Sequence, residues 1–203
     1  MAVSLDTGDT RLIIRECSDY GCSNPQTAYI LATANWETGG GMTPVKETVM
    51  PWHNDKNPTD KEVINRLNAW ADKTGRSNRY WNDGWFGRGY VQLTHKENYQ
   101  KAGISHNPDL ALDPKTASRI LVTGMMQGWF TGVSLTDYIN GSIKDYMNAR
   151  RVVNGADHSE EIAVIAKDYE NELDNIKKPT GKKGILEWIL SILGRILSHG
   201  GRG

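Results

Sequence analysis

The segment Asn24-Pro25-Gln26-Thr27-Ala28-Tyr29-Ile30-Leu31-Ala32-Thr33-Ala34-Asn35-Trp36-Glu37-Thr38-Gly39-Gly40-Gly41 decides the fold class. Asn24-Pro25 reads as N-cap and first helical position, where an absent amide hydrogen costs nothing. Ala28, Leu31, Ala32 and Asn35-Trp36 then recur at helical spacing, and the three glycines end the run. Similar punctuation follows along the chain. Thr59-Asp60-Lys61-Glu62 is a capping box, after which Val63, Ile64, Leu67, Trp70 and Ala71 share a face as far as Gly75. Thr94-His95-Lys96-Glu97 reads as a second capping box, opening a short helix that closes at Gly103.

Asp113-Pro114 begins another helix, carrying Ile120, Leu121 and Met125 towards Trp129 and Phe130. Further helices are predicted over Ser142 to Arg151 and over Ser159 to Lys177. The second has Ile162, Ile165, Ala166, Tyr169, Leu173 and Ile176 in one stripe. No long alternating pattern is present, and only Gly89 to Leu93 reads as extended. The expected body is mostly α.

At 203 residues and 22.7 kDa the chain fits one domain with an appendage, long enough to bury a real core. Seven Trp and eight Tyr supply large apolar areas. The 24 Lys and Arg balance 24 Asp and Glu, which argues against a nucleic-acid partner. Cys17 and Cys22 are too few for a disulfide scaffold, and their spacing without a nearby His is not a zinc site; they read as two ordinary thiols. The five His show no metal spacing, so no metal site is expected. The start Met1-Ala2-Val3-Ser4-Leu5-Asp6 has neither the basic nor the apolar region of a signal peptide.

Composition breaks at Pro179-Thr180-Gly181-Lys182-Lys183-Gly184, dividing the chain into a body, 1–178, and a segment, 179–203. The segment carries four Lys and Arg against one Glu, a net of +3, which leaves −3 on the body. From Ile185 to Leu197, Ile, Leu and Trp cover most of a helix whose narrow polar face holds Glu187, Ser191, Gly194, Arg195 and Ser198. Thirteen residues give about 20 Å of helix, short of a ~30 Å hydrocarbon core. Two readings stand: a final helix docked on the body, or a cationic amphipathic helix lying in a membrane interface through 184–198.

Two carboxylates frame the glycine run. Glu37 falls at the C-terminal end of an apolar helix, where dipole and surroundings both disfavour its anion, the setting of a general acid. Glu47, in Val45-Lys46-Glu47-Thr48, lies in a polar loop where an anion is favoured. Carboxylates pushed in opposite directions suit the acid and base of glycoside cleavage. A third element, Trp85-Phe86-Gly87-Arg88-Gly89-Tyr90-Val91-Gln92-Leu93-Thr94, offers close backbone approach at its glycines. Arg88, Gln92 and Thr94 offer donors and acceptors for sugar hydroxyls, although an N-cap role also explains Thr94. The aromatics Trp81, Trp85, Phe86 and Tyr90 suit a core or a sugar-stacking platform. Arg150-Arg151-Val152-Val153-Asn154-Gly155 reads equally as a helix end.

Taken in order, these segments resemble the family 19 glycoside hydrolases, chitinases and the compact phage endolysins of the lysozyme-like group. The carriers are Trp36-Glu37-Thr38-Gly39-Gly40, Glu47, Trp85 to Thr94 continuing into Asn98-Tyr99 and Ala102-Gly103, and Arg151 with Asn154-Gly155. The resemblance covers about residues 25–155. It implies a mainly α, lysozyme-like body of two lobes about a catalytic cleft, acting without a metal or cofactor and inverting the anomeric centre. It also implies Glu37 as general acid, Glu47 as general base and Thr94 as the hydroxyl that helps hold the attacking water. Arg88, Gln92, Asn98, Tyr99, Arg151 and Asn154 would line the sugar subsites. One departure is Trp36, where many relatives have His before the acid; it bears on the acid's orientation rather than on its identity.

The expected partner is the peptidoglycan glycan strand, met by a monomer. It would accumulate in a host cytoplasm and reach the cell wall after a membrane lesion opens. Two other readings are a chitinase acting on N-acetylglucosamine polymers and a membrane-disrupting protein working through its tail.

Overall fold

The computed structural model describes residues 3–49 and 58–177, and the tail at 179–203 lies outside the described residues. The described chain is mainly helical. Its α-helices are α1 (Thr10–Tyr20), α2 (Asn24–Glu37), α3 (Asp60–Thr74), α4 (Lys96–Lys101), α5 (Pro114–Met126) and α6 (Ser159–Lys177). Short 3-10 turns occupy Tyr80–Asp83, Pro108–Leu112, Leu135–Asp137 and Asn148–Val152. Two two-residue strands, β1 (Val45–Lys46) and β2 (Arg88–Gly89), pair antiparallel, with Val45 opposite Gly89 and Lys46 opposite Arg88.

Every residue from Gln26 to Ala34 is buried, so α2 is a central helix covered on all sides. Ala28, Ala32 and Ala34 let neighbours approach, while Tyr29, Ile30 and Leu31 fill the space between them. α6 packs along α2, and α1 packs on α5. Two buried polar side chains of α2 are satisfied: Gln26 Nε2 donates to the Ile139 carbonyl at 2.8 Å, and the Thr33 hydroxyl donates to the Tyr29 carbonyl at 3.0 Å, whereas the buried Tyr29 hydroxyl has no hydrogen-bond partner among the described residues. A second, smaller cluster gathers Val63, Leu67 and Ala71 of α3 with Trp81 and Phe86. Half-buried Tyr80 and Trp70 pack against it.

Several boundaries follow local chemistry. Thr59 and Glu62 make the expected capping box at α3, which ends at Gly75 in the left-handed conformation. Asp113 caps α5 through the Thr116 amide. The cap of α2 is Ser23, one residue earlier than Asn24, because its hydroxyl and the Gln26 side chain form a reciprocal box. Helix α1 has no counterpart among the sequence expectations, although Thr10, Ile13 and Cys17 mark its buried face.

Two expectations need correction. Thr94 does not cap α4: the N-cap is His95, at φ +66°, with no side-chain cap bond and its amide held by the Trp85 carbonyl at 3.0 Å. The segment 142–151 is not one helix, since only Asn148–Val152 turns as a 3-10 helix. Asn140 Oδ1 accepts from the amides of Ser142 and Ile143, and Ile139 bridges to Lys144. An Asx turn of this kind offers the backbone an alternative to the helical ladder.

Candidate active site

Glu37 is the last residue of α2, and the turn after it is built by glycine. Gly39 and Gly40 stand at φ +60° and +84°, a pair of left-handed steps that a side chain would strain. Thr38 closes the corner: its hydroxyl donates to the Ala34 carbonyl at 2.7 Å and accepts from the Met42 amide at 3.0 Å. The Glu37 side chain, 18% exposed, meets the buried guanidinium of Arg150, with Oε1 2.7 Å from Nη1. Arg150 Nε also donates to the Asp157 carbonyl at 3.2 Å, fixing the head group from a second side. Beside it the ring of Trp36 packs on His158 with centroids 4.8 Å apart. The carboxylate at the end of α2 is therefore paired with a buried cation.

Glu47 follows β1 and is held by backbone and side chain together. Its amide donates to the Gly87 carbonyl at 2.7 Å, and Gly87's amide donates back to Oε2 at 2.7 Å. The Tyr80 hydroxyl donates to Oε1, also at 2.7 Å. A Cβ at position 87 would stand 2.7 Å from Gln92 Oε1 and 3.3 Å from Glu47 Cβ, so any larger residue would have to displace the Gln92 side chain and crowd Glu47. Burial, and then the adjacent Glu47 charge and the hydrogen bond to it, push Tyr80 well above the usual phenol range, against an opposing pull from Arg76. Tyr80 thus stays a donor across the working pH range. Its ring packs edge-on against Trp81 and tilted against His95.

The remaining expected residues divide. Thr94 is half-buried, and its hydroxyl has no hydrogen-bond partner among the described residues. Asn98 Nδ2 donates to the Thr94 carbonyl at 2.9 Å. Half-buried Gln92, at φ +51°, spends its amide on the carbonyls of Val45 and Gly89, bracing the turn. Arg151 and Asn154 are exposed.

Arg88 and Tyr99 are corrections. Arg88 is 1% exposed, and its guanidinium is consumed by Asp60, Asp109, the Gly84 carbonyl and the Tyr99 hydroxyl, over the Phe86 ring. Tyr99 is fully buried and donates to the Phe86 carbonyl at 2.8 Å. Both are framework residues with nothing left to offer a sugar. Of the four aromatics expected as core or platform, Trp81, Phe86 and Tyr90 are core, and Trp85 is half-buried against Tyr99.

Arg150 and Tyr80 hold the two carboxylates, and neither stood among the expected site residues. Arg150 is hidden in sequence by its neighbour Arg151, and only the folded turn separates them, with Arg150 buried alongside Ala149 and Val152. Among the described residues no three His, Cys, Asp or Glu side chains gather as a metal set. No helix there is long and apolar enough to cross a membrane. No protein-family model matches the chain, and no curated protein matches it.

Proposed function

We propose that this chain is a glycoside hydrolase that cuts β-1,4 bonds in the glycan strand of peptidoglycan, with Glu37 as general acid and Glu47 as general base. The observation that carries the reading is that two half-buried carboxylates from separate segments are each fixed in place by dedicated donors. Glu37 is gripped by one buried cation from a turn far along the chain, and Glu47 by a phenol and a backbone amide. Simple surface carboxylates have no need of such fixed donors. The two apolar clusters support a two-lobed body: Glu37 ends a helix of the larger one, and Tyr80, the partner of Glu47, packs on the smaller.

On this reading Glu37 protonates the glycosidic oxygen as the bond breaks, and Arg150 stabilises the carboxylate left behind. Glu47, oriented by the Tyr80 hydroxyl and the Gly87 amide, takes a proton from water attacking the opposite face of the sugar. Inverting enzymes separate the two carboxyls by about 6.5–9.5 Å to admit that water. The Thr94 hydroxyl, which has no hydrogen-bond partner among the described residues, would help to hold it. The decisive experiment is Glu37→Gln, assayed by reducing sugar released from purified peptidoglycan, with circular dichroism as the check on folding. A folded variant that still cuts the glycan at the wild-type rate would refute the assignment.

A further inference from the structure

Helix α1 ends in a way that brings two cysteines together. Gly21 adopts the left-handed conformation, φ 88°, its amide donates to the Ser18 carbonyl at 3.1 Å, and the Cys22 amide donates to the Cys17 carbonyl at 2.9 Å. This is the paired 5→2 and 6→1 bonding of a Schellman motif, whose hallmark is a side-chain contact between the residue after the glycine and the residue five before it. Here those two residues are Cys22 and Cys17, and both are free thiols.

Their environments differ. Cys17 is fully buried in the main core, whereas Cys22 is half-buried and lines an open cleft of about 350 Å3 with Ser18, Asn24, Thr27 and, from α6, Leu173. The interaction between the two thiols is the largest influence on each: it pushes Cys17 well up, reinforced by burial, and draws Cys22 down against its own burial. Cys22 is therefore the accessible nucleophile, and Cys17 the thiol poised behind it.

We propose that Cys17 and Cys22 form a dithiol site that low-molecular-weight disulfides oxidise to an intrachain disulfide. The Cys22 thiolate attacks one sulfur of the small disulfide, forming a mixed disulfide and releasing the first thiolate. Cys17 then gives up its proton to solvent and attacks Cys22 Sγ, expelling the second thiolate. Two protein thiols are oxidised and one small disulfide is reduced to two thiols. The product staples the last turn of α1 to the entry of α2, whose cap is Ser23. The site stands apart from Glu37 and Glu47 and does not depend on the hydrolase reading.

The test uses the full chain, reduced and then equilibrated with excess glutathione disulfide, followed by intact-mass measurement and peptide mapping. The expected product is about 2 Da lighter, the two hydrogens lost, with Cys17 linked to Cys22. Cys17→Ser and Cys17→Ala should both stop at a glutathione adduct on Cys22, which shows that Cys17 does the resolving. The proposal is overturned if the wild-type chain keeps both thiols free, stops at the same adduct as the variants, or links through Cys22 into dimers. The wild-type measurement decides the matter even if neither variant folds.

Discussion

Arg150 and Glu37 lie 113 positions apart in the chain and 2.7 Å apart in space. The guanidinium is 4% exposed and the carboxylate 18%, so the pair sits largely out of water. Such a pair adds little over an apolar replacement of both partners, but losing one partner strands the other.

Arg150→Ala should therefore destabilise the fold by about 3 kcal/mol, read as a lower urea midpoint at unchanged slope. Glu37→Gln should cost less, because an amide oxygen still accepts from Nη1. Arg150→Lys should fall between them, since lysine keeps the charge but loses the Nε contact to the Asp157 carbonyl. An alanine variant with the wild-type midpoint would show that the pair contributes nothing to stability.

Tyr80→Phe removes the donor on Glu47 Oε1 and keeps the ring packed on Trp81 and His95. A hydrogen bond to a charged group is worth about 1.5–3 kcal/mol, so activity on peptidoglycan should fall roughly tenfold or more. The loss should appear in kcat rather than KM, because the donor orients the base and does not bind the sugar. A raised KM with unchanged kcat would mean that Tyr80 binds substrate instead of holding the base.

Asp113 gives a pH signature. Hydrogen bonds from Thr116, backbone and hydroxyl, hold its carboxyl below the usual aspartate range. A depressed folded value means that the stabilisation is complete above the unfolded value of about 3.9 and is lost as pH falls through the folded one. Asp113→Ala should thus cost about 1 kcal/mol at neutral pH, the worth of an N-cap. The gap between variant and wild type should close under acid, as followed by thermal melts at a series of pH values. A gap that persists under acid would show that charge plays no part in the cap.

Gly89 stands at φ +86°, and a Cβ there would meet the Ala111 carbonyl oxygen at 2.8 Å. Gly89→Ala should cost about 2 kcal/mol or more, through left-handed strain and a clash with backbone that cannot swing away. The β1–β2 pairing that leads into Glu47 should loosen with it. Amide exchange at Lys46 and Glu47 reads that loosening directly, and unchanged protection there would separate the glycine from the site.

Much of the helical framework was legible from residues close together in the chain. Thr59 with Glu62, Asp113 with Pro114, and the glycine run after Glu37 act within three or four positions, so their signals survive without any tertiary context. Reading failed where a local pattern had a competitor. Thr94 to Glu97 has the letters of a capping box, but the Trp85 carbonyl takes the His95 amide and moves the helix start. Ser142 to Arg151 has helical periodicity, but Asn140 captures two amides ahead of it.

Sequence by itself determined the mainly helical class, most helix ends, and the carboxylates Glu37 and Glu47 as candidates for chemistry. Tertiary structure alone decided what each of them touches. Arg150 rather than Arg151 faces Glu37, Tyr80 reaches Glu47, and Arg88 and Tyr99 are spent on the framework. The reason is physical: capping and periodicity act over a few residues of backbone, whereas a buried charge finds its partner only after distant segments have packed.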